Sequence, residues 1–379
     1  MISKIIRSTF VPVMVKDVKF KEIEKLFRTP ILQQTAYWSK VKSHFGAEPM
    51  AFNFFINEGD SYNVRDLVVF VKMVDKEHSI AYVPYGPEAE PSKDEQGALL
   101  EQLSEMLMQY LPKGCIMIRY DLVWESMWSD ESQFVNDDGI WMGPPSPGNQ
   151  EIRFNYSTIK GNFRKAPSNI LPSNTVLVNL KSCESDMLGR MKPKTRYNIS
   201  LSARKGVIVR VAGLESISVW YKLYKETAKR NNFFLHSEDY FRIALTERAT
   251  DSLSPADVSL LIAEYDSVPL AAMFLVVSDR RATYLYGASS SEHRGLMAPY
   301  SLQWRAMMIA KEKGCTQYDM FGVSPGNDIS HPLYGLYRFK TGFGGSLYHA
   351  MGCWDYPLNH KVYQQYIASE VRNQGYHLA

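Results

Sequence analysis

The chain has 379 residues, 45% of them hydrophobic and 22% charged. This composition fits a globular protein and excludes a disordered or collagen-like one. The formal net charge is only +3, so any case for nucleic-acid binding must rest on a local patch.

Residues 1–7 lack the long apolar core of a signal peptide, and a cytoplasmic location is expected. No apolar run has the length of a membrane span. The best candidate, residues 269–277, has strand length. A helix is expected over 20–27 and another over 36–44, closed by Gly46. Strands follow over 50–55, 67–74 and 80–84, before Tyr85-Gly86-Pro87 breaks the pattern. A helix over 92–110 would be capped by Ser92, with Glu95 three positions on. A strand is expected over 115–120. Residues 124–174 read as irregular, and Gly143 to Gly148 suits neither helix nor central strand. A strand over 176–180 opens the second half. Helical pattern over 187–205 is interrupted at Pro193 and closed by Gly206. Then come a strand over 207–212, helices over 217–231 and 237–250 (Ser237 as N-cap), and a meander over 258–264, 270–278 and 283–287. A helix over 299–313 and a strand over 317–321 follow, with a last helix near 363–371.

The length exceeds what one core usually organises. Both halves show helices, three or four strands, a helix and a strand. The expected class is mixed α/β, with two acyltransferase domains of the GNAT type in tandem. The first would span 1–174 plus about 346–379, the second 175–345. The four cysteines stand far apart, and the eight histidines show no metal-ligand spacing. Reduced core cysteines and no metal are expected.

Four stretches could carry chemistry. Gly335 to Gly345 holds Arg338 and Lys340 among aromatics and ends in glycines. It reads as an oxyanion-stabilising lysine or as a hairpin turn with a solvated one. Arg190 to Arg210 carries Lys192, Lys194, Arg196, Arg204 and Lys205 with no acid. It reads as a phosphate site at a helix start or as a solvated basic face. Trp38 and Lys42, four apart, could stack a ring and pair a phosphate, or could anchor the helix. Tyr284 and Tyr286 alternate onto one strand face, pointing into a cleft or into core. Residues 293–298 are a weak match to a pyrophosphate loop of acyl-CoA enzymes.

Together these stretches resemble the FemABX family of aminoacyltransferases. The carriers are Leu32-Gln33-Gln34 with Trp38 and Lys42, Tyr82-Val83-Pro84-Tyr85-Gly86-Pro87, and Ile118-Arg119-Tyr120-Asp121. Leu171 to Val176, Met191 to Ile199, Tyr284 to Ala288 and Tyr334 to Gly345 complete the set. The resemblance implies transfer from aminoacyl-tRNA to the side-chain amine of a peptidoglycan precursor, either UDP-MurNAc-pentapeptide or lipid II. It implies no metal or other cofactor, and a peripheral contact with the inner membrane surface. It places Lys340 at the position of the oxyanion-stabilising lysine, with Phe339 beside it. Substrate-binding positions would be Trp38, Lys42, Tyr85, Asp121, Lys194, Arg196, His236, Tyr240, Tyr284 and Tyr286. His236 departs from the arginine some members carry there. Other readings are an acyl-CoA N-acyltransferase and a catalytically silent RNA- or glycan-binding relative.

Overall fold

A computed structural model describes residues 14–58, 61–137 and 140–372. The N-terminal heptad read above lies outside them. The chain runs β1 (Val15–Lys21), α1 (Ala36–Ser43), β2 (Glu48–Glu58), β3 (Ser61–Met73), β4 (Ser79–Pro84), α2 (Gln96–Leu107), β5 (Cys115–Glu125), α3 (Pro147–Phe154) and β6 (Arg164–Lys165). It continues with β7 (Asn174–Asn179), α4 (Glu184–Arg190), α5 (Pro193–Arg204), β8 (Ile208–Ala212), α6 (Ile217–Asn231), α7 (Glu238–Thr246), β9 (Asp257–Tyr265), β10 (Val268–Ser278) and β11 (Arg281–Ser289). Last come α8 (Ala298–Glu312), β12 (Gln317–Asp319), α9 (Tyr334–Lys340), β13 (Ser346–Pro357) and α10 (His360–Arg372). The fold is mixed α/β, as expected.

Twelve of the thirteen described strands form one hydrogen-bonded path, β1-β2-β3-β4-β5-β13-β7-β12-β11-β10-β9-β8, and β6 pairs with β13 off it. β13 carries it from one half to the other. Its Ser346–His349 stretch pairs with β7, and its Ala350–Pro357 stretch pairs with β5. Three large cores result. One lies within the first half around Phe52, Leu103, Tyr120 and Trp354. One lies within the second around Val178, Met273, Met307 and Phe343. The third joins the halves: Tyr37 and Trp38 of α1 meet Trp220 of α6, Phe241 of α7 and Phe274 of β10. This shared core sets α1 against α7, and both carry expected site residues.

Several expectations are corrected. Residues 20–27 are not a helix. Lys19 to Lys21 pair with β2, and only a 3-10 turn follows at Ile23–Lys25. A single uncapped turn pair is too short to hold a helix against an available sheet edge. Ser92 does not cap α2. Its hydroxyl bonds Glu95, and the helix begins one residue later. Pro147 starts α3, because a missing N–H costs nothing at the first helical position. Residues 334–340 form α9 rather than a hairpin. Cys183 is exposed, while Cys115, Cys315 and Cys353 are buried thiols.

α10 docks on β5 through a buried charge network. The Arg119 guanidinium is fully buried, donating to Asp355 at 2.6 and 2.8 Å and to Glu370 of α10 at 2.7 and 2.9 Å. The Tyr363 hydroxyl also donates to Asp355, at 3.2 Å.

Candidate active site

Lys340 ends α9 and is only 4% exposed. Its Nζ donates to the carbonyls of Phe321 (3.0 Å) and Gly322 (2.9 Å), just beyond β12. Phe321 holds a left-handed φ of 58°, so the loop turns sharply there. The Tyr284 ring centroid lies 5.1 Å from Nζ, its negative face toward the cation. Burial pulls the lysine down to about 7, opposed by the Asp319 carboxylate. An ammonium has three donors, so one remains beyond the two carbonyl bonds. Phe339 packs edge-on to Tyr300 (5.1 Å) and Phe343 (5.2 Å), forming the apolar flank of this lysine helix.

The glycines after Lys340 serve packing rather than ligand approach. A Cβ on Gly342 would lie 2.3 Å from Thr195 Oγ1 of α5, and one on Gly344 would lie 2.8 Å from the Arg190 backbone. They let the turn after α9 sit directly on α5 and the end of α4.

A second group gathers where α1 meets α7 and β11. Thr35 caps α1 by accepting the Trp38 N–H at 3.1 Å, which fixes Trp38 and Lys42 one turn apart. Trp38 is buried, and Lys42 Nζ lies 5.0 Å from its ring and 5.4 Å from that of Tyr240. Ser237 caps α7 by accepting the Tyr240 N–H at 3.1 Å. The Tyr240 and Tyr286 hydroxyls are 2.7 Å apart, and His236 stacks on Tyr240 at 4.4 Å. Burial, then Lys72, lowers Lys42 to about 8. Burial, then Lys42, lowers His236 to about 4. At pH 7 the imidazole is therefore neutral. No carboxylate among the described residues is paired with Lys42. A half-buried cation without a counter-ion, walled by aromatics, can accept an anion.

Tyr284 and Tyr286 do not share a face. The ladder places Tyr286 opposite Phe274 but Tyr284 opposite Leu275, leaving Leu285 as an extra residue. This bulge reverses the alternation. Tyr286 therefore packs with Tyr240 against the shared core, and Tyr284 packs with Lys340 against the second-half core.

The remaining expected residues divide. Tyr85, in a left-handed φ of 49°, donates its hydroxyl to Pro172 O at 2.5 Å and lines a cavity at the seam between the halves. Asp121 is fully buried, accepting from Tyr82 (3.1 Å) and the Leu171 N–H (2.7 Å), with burial raising it to about 6. It ties the middle of β5 to the inter-half segment. Lys194 is exposed at the first turn of α5. Arg196 instead donates to the carbonyls of Leu188, Gly189 and Met191, closing the C-terminal end of α4. Its charge is spent on a helix end. Lys192 precedes α5 in extended conformation, so the basic residues form no single helical face.

The FemAB family model matches residues 20–253 and 246–370. The chain belongs to the FemAB family. A lipid II:glycine glycyltransferase of Staphylococcus saprophyticus is 33% identical over 123 residues, 32% of this chain and 29% of that protein. The Staphylococcus epidermidis enzyme of the same name is 21% identical over 271 residues, covering 56% and 65%. That of Staphylococcus aureus is 23% identical over 257 residues, covering 52% and 61%. Each match spans less than two thirds of the relative's length. The crystal structure of FemX superposes with a TM-score of 0.70 at 18% identity, covering 93% of this chain and all of that one. The fold is therefore that of FemX.

Within this FemAB chain, sequence reasoning missed Asp319, Thr175 and Arg281. Asp319 ends β12, accepts from the Thr175 hydroxyl and from the Phe321 N–H (2.8 Å), and lines the seam cavity with Arg281 and Phe321. Arg281 Nε is buried without a partner. A lone aspartate at a strand end just before Phe321-Gly322 was the available signal. Among the described residues no cluster of His, Cys, Asp or Glu could hold a metal ion.

Proposed function

We propose that this FemAB-family protein is an aminoacyltransferase. It moves an amino acid from aminoacyl-tRNA to the side-chain amine of the diamino acid in a peptidoglycan precursor stem peptide. The observation that carries the reading is Lys340, a buried ammonium with one donor left over, held by the carbonyl of Phe321, a residue that lines the cavity between the halves. The amine attacks the ester carbonyl, a C–N bond forms, and the carbonyl electrons move onto oxygen. The free N–H of Lys340 stabilises that oxyanion, where low dielectric makes the charge most effective. Collapse breaks the ester C–O bond. The proton lost by the amine ends on the ribose oxygen of the departing tRNA. An ester is already activated, so positioning and charge stabilisation suffice, with no nucleophilic side chain.

Trp38, Lys42, His236, Tyr240 and Tyr286 form the acceptor site in this reading, Lys42 meeting a phosphate. The activity for which the staphylococcal relatives are named, glycyl transfer to lipid II, favours the lipid-linked precursor over the nucleotide-linked one. Lys194 and its exposed basic neighbours meet the tRNA backbone. Such substrates imply a cytoplasmic protein with peripheral contact to the inner membrane surface. No helix of the described residues is long and apolar enough to cross a membrane. The test is mass spectrometry of a muramyl-pentapeptide precursor incubated with the protein and a mixed pool of charged tRNAs. A mass gain of one or more amino acid residues is expected. Acylation from acyl-CoA instead, or no gain from any charged tRNA, overturns the reading.

A further inference from the structure

Lys340 carries charge inside the protein, and a buried cation needs compensation from something fixed. Three elements pack around it besides α9. From β11 comes Tyr284, whose hydroxyl burial raises to about 12, so it is neutral at pH 7. From the segment before α5 comes Lys192, exposed and directed to Thr341 Oγ1 at 3.4 Å. From β12 comes Asp319, and it alone of these is an anion. The seam cavity beyond Asp319 and Phe321 is lined by the cation Arg281 of β11 and by Tyr85 and Tyr348, whose hydroxyls burial pushes up.

Asp319 is fixed from both sides. The Thr175 hydroxyl of β7 and the Phe321 N–H both donate to its Oδ1. The second of these bonds shapes the same turn whose next two carbonyls, Phe321 and Gly322, receive Lys340. We propose that Asp319 is a positioning residue for the transfer: its carboxylate, clamped at the end of β12, keeps Lys340 charged and sets the turn that aims it. Asp319 acts through Lys340 and touches no reacting atom. The inference rests on the oxyanion role given to Lys340 above.

The test is Asp319→Asn in the full chain, which keeps size and an accepting oxygen and removes the charge. NMR of labelled lysine side chains follows the titration of Lys340, its signal assigned by loss in Lys340→Met. In wild type it titrates near pH 7. In Asp319→Asn it moves to lower pH by about one unit, a tenfold change in protonation. The alkaline limb of the transfer rate moves with it, so the variant loses about tenfold above both transitions and little at low pH. Asp319→Glu, which retains the charge, keeps the titration near wild type. If Asp319→Asn does not fold, Asp319→Ser reads the same shift. An unmoved Lys340 titration, or a rate loss equal at every pH, overturns the proposal. A shifted titration with an unmoved rate profile overturns instead the use of the Lys340 charge in transfer, and with it the positioning role.

Discussion

The hydroxyls of Tyr240 and Tyr286 meet at 2.7 Å, one carried by α7 and the other by β11. One hydroxyl donates to the other, which leaves one O–H in the pair free for a ligand. Removing either oxygen therefore has two effects. Tyr286→Phe and Tyr240→Phe should each lower stability by roughly 0.5–1.5 kcal/mol, and the double variant by less than the sum. Each should also weaken acceptor binding. Urea denaturation and calorimetric titration with a muramyl-pentapeptide precursor separate the two. Unchanged acceptor affinity in both singles would make the pair purely structural.

Lys42 is a cation only below about pH 8, because burial and Lys72 depress it. If it meets a phosphate, acceptor binding should be constant below that pH and weaken above it. Lys42→Arg should hold its affinity to higher pH, and Lys42→Met should bind weakly throughout. A pH-independent dissociation constant for wild type between pH 7 and 9 would remove Lys42 from the phosphate site.

Arg196 and Lys194 sit two residues apart yet should behave differently. Arg196 is bonded to three carbonyls at the end of α4, so Arg196→Ala should lower the melting temperature. Lys194 is exposed, so Lys194→Ala should leave melting unchanged. It should reduce the salt dependence of tRNA binding by about one unit of slope, as for one lost phosphate contact. Equal salt slopes in wild type and Lys194→Ala would make this a solvated face.

Burial holds both His236 and His349 at about 4. In the unfolded chain each takes up a proton near pH 6.5. Between those values the unfolded state binds more protons, so stability falls as pH drops from about 6.5 toward 4. Above that window the two histidines add no pH dependence. The urea midpoint should therefore drop between pH 6.5 and 4.5, and His236→Gln should reduce the drop. An equal drop in that variant would assign the acid sensitivity elsewhere.

Much of the site was legible because it rests on local rules. The Ser237 cap and the helical spacing of Trp38 and Lys42 are short-range features. What the sequence hid is long-range. The Leu285 bulge is set by the ladder with β10, and alternation alone put Tyr284 and Tyr286 on one face. β13 shows no regular period because its two ends pair with strands of different halves and Gly352 turns it at φ 67°. It escaped notice entirely, and with it the continuity of the sheet. The division into two domains near residue 174 stands as our proposal, since β7 begins there while β13 crosses back. Arg196 looked like a ligand for phosphate because sequence cannot show that α4 ends within its reach.

The central claim is that the Lys340 charge stabilises the transfer transition state. Lys340→Met keeps the stem and deletes the charge. Single-turnover transfer from charged tRNA to the muramyl-pentapeptide precursor, read by mass spectrometry at saturating substrates and pH 6.5, tests it most directly. The expected result is a rate lower by about 10²–10³, the scale for losing one oxyanion donor, with acceptor affinity little changed. Transfer by Lys340→Met at the wild-type rate would contradict the account.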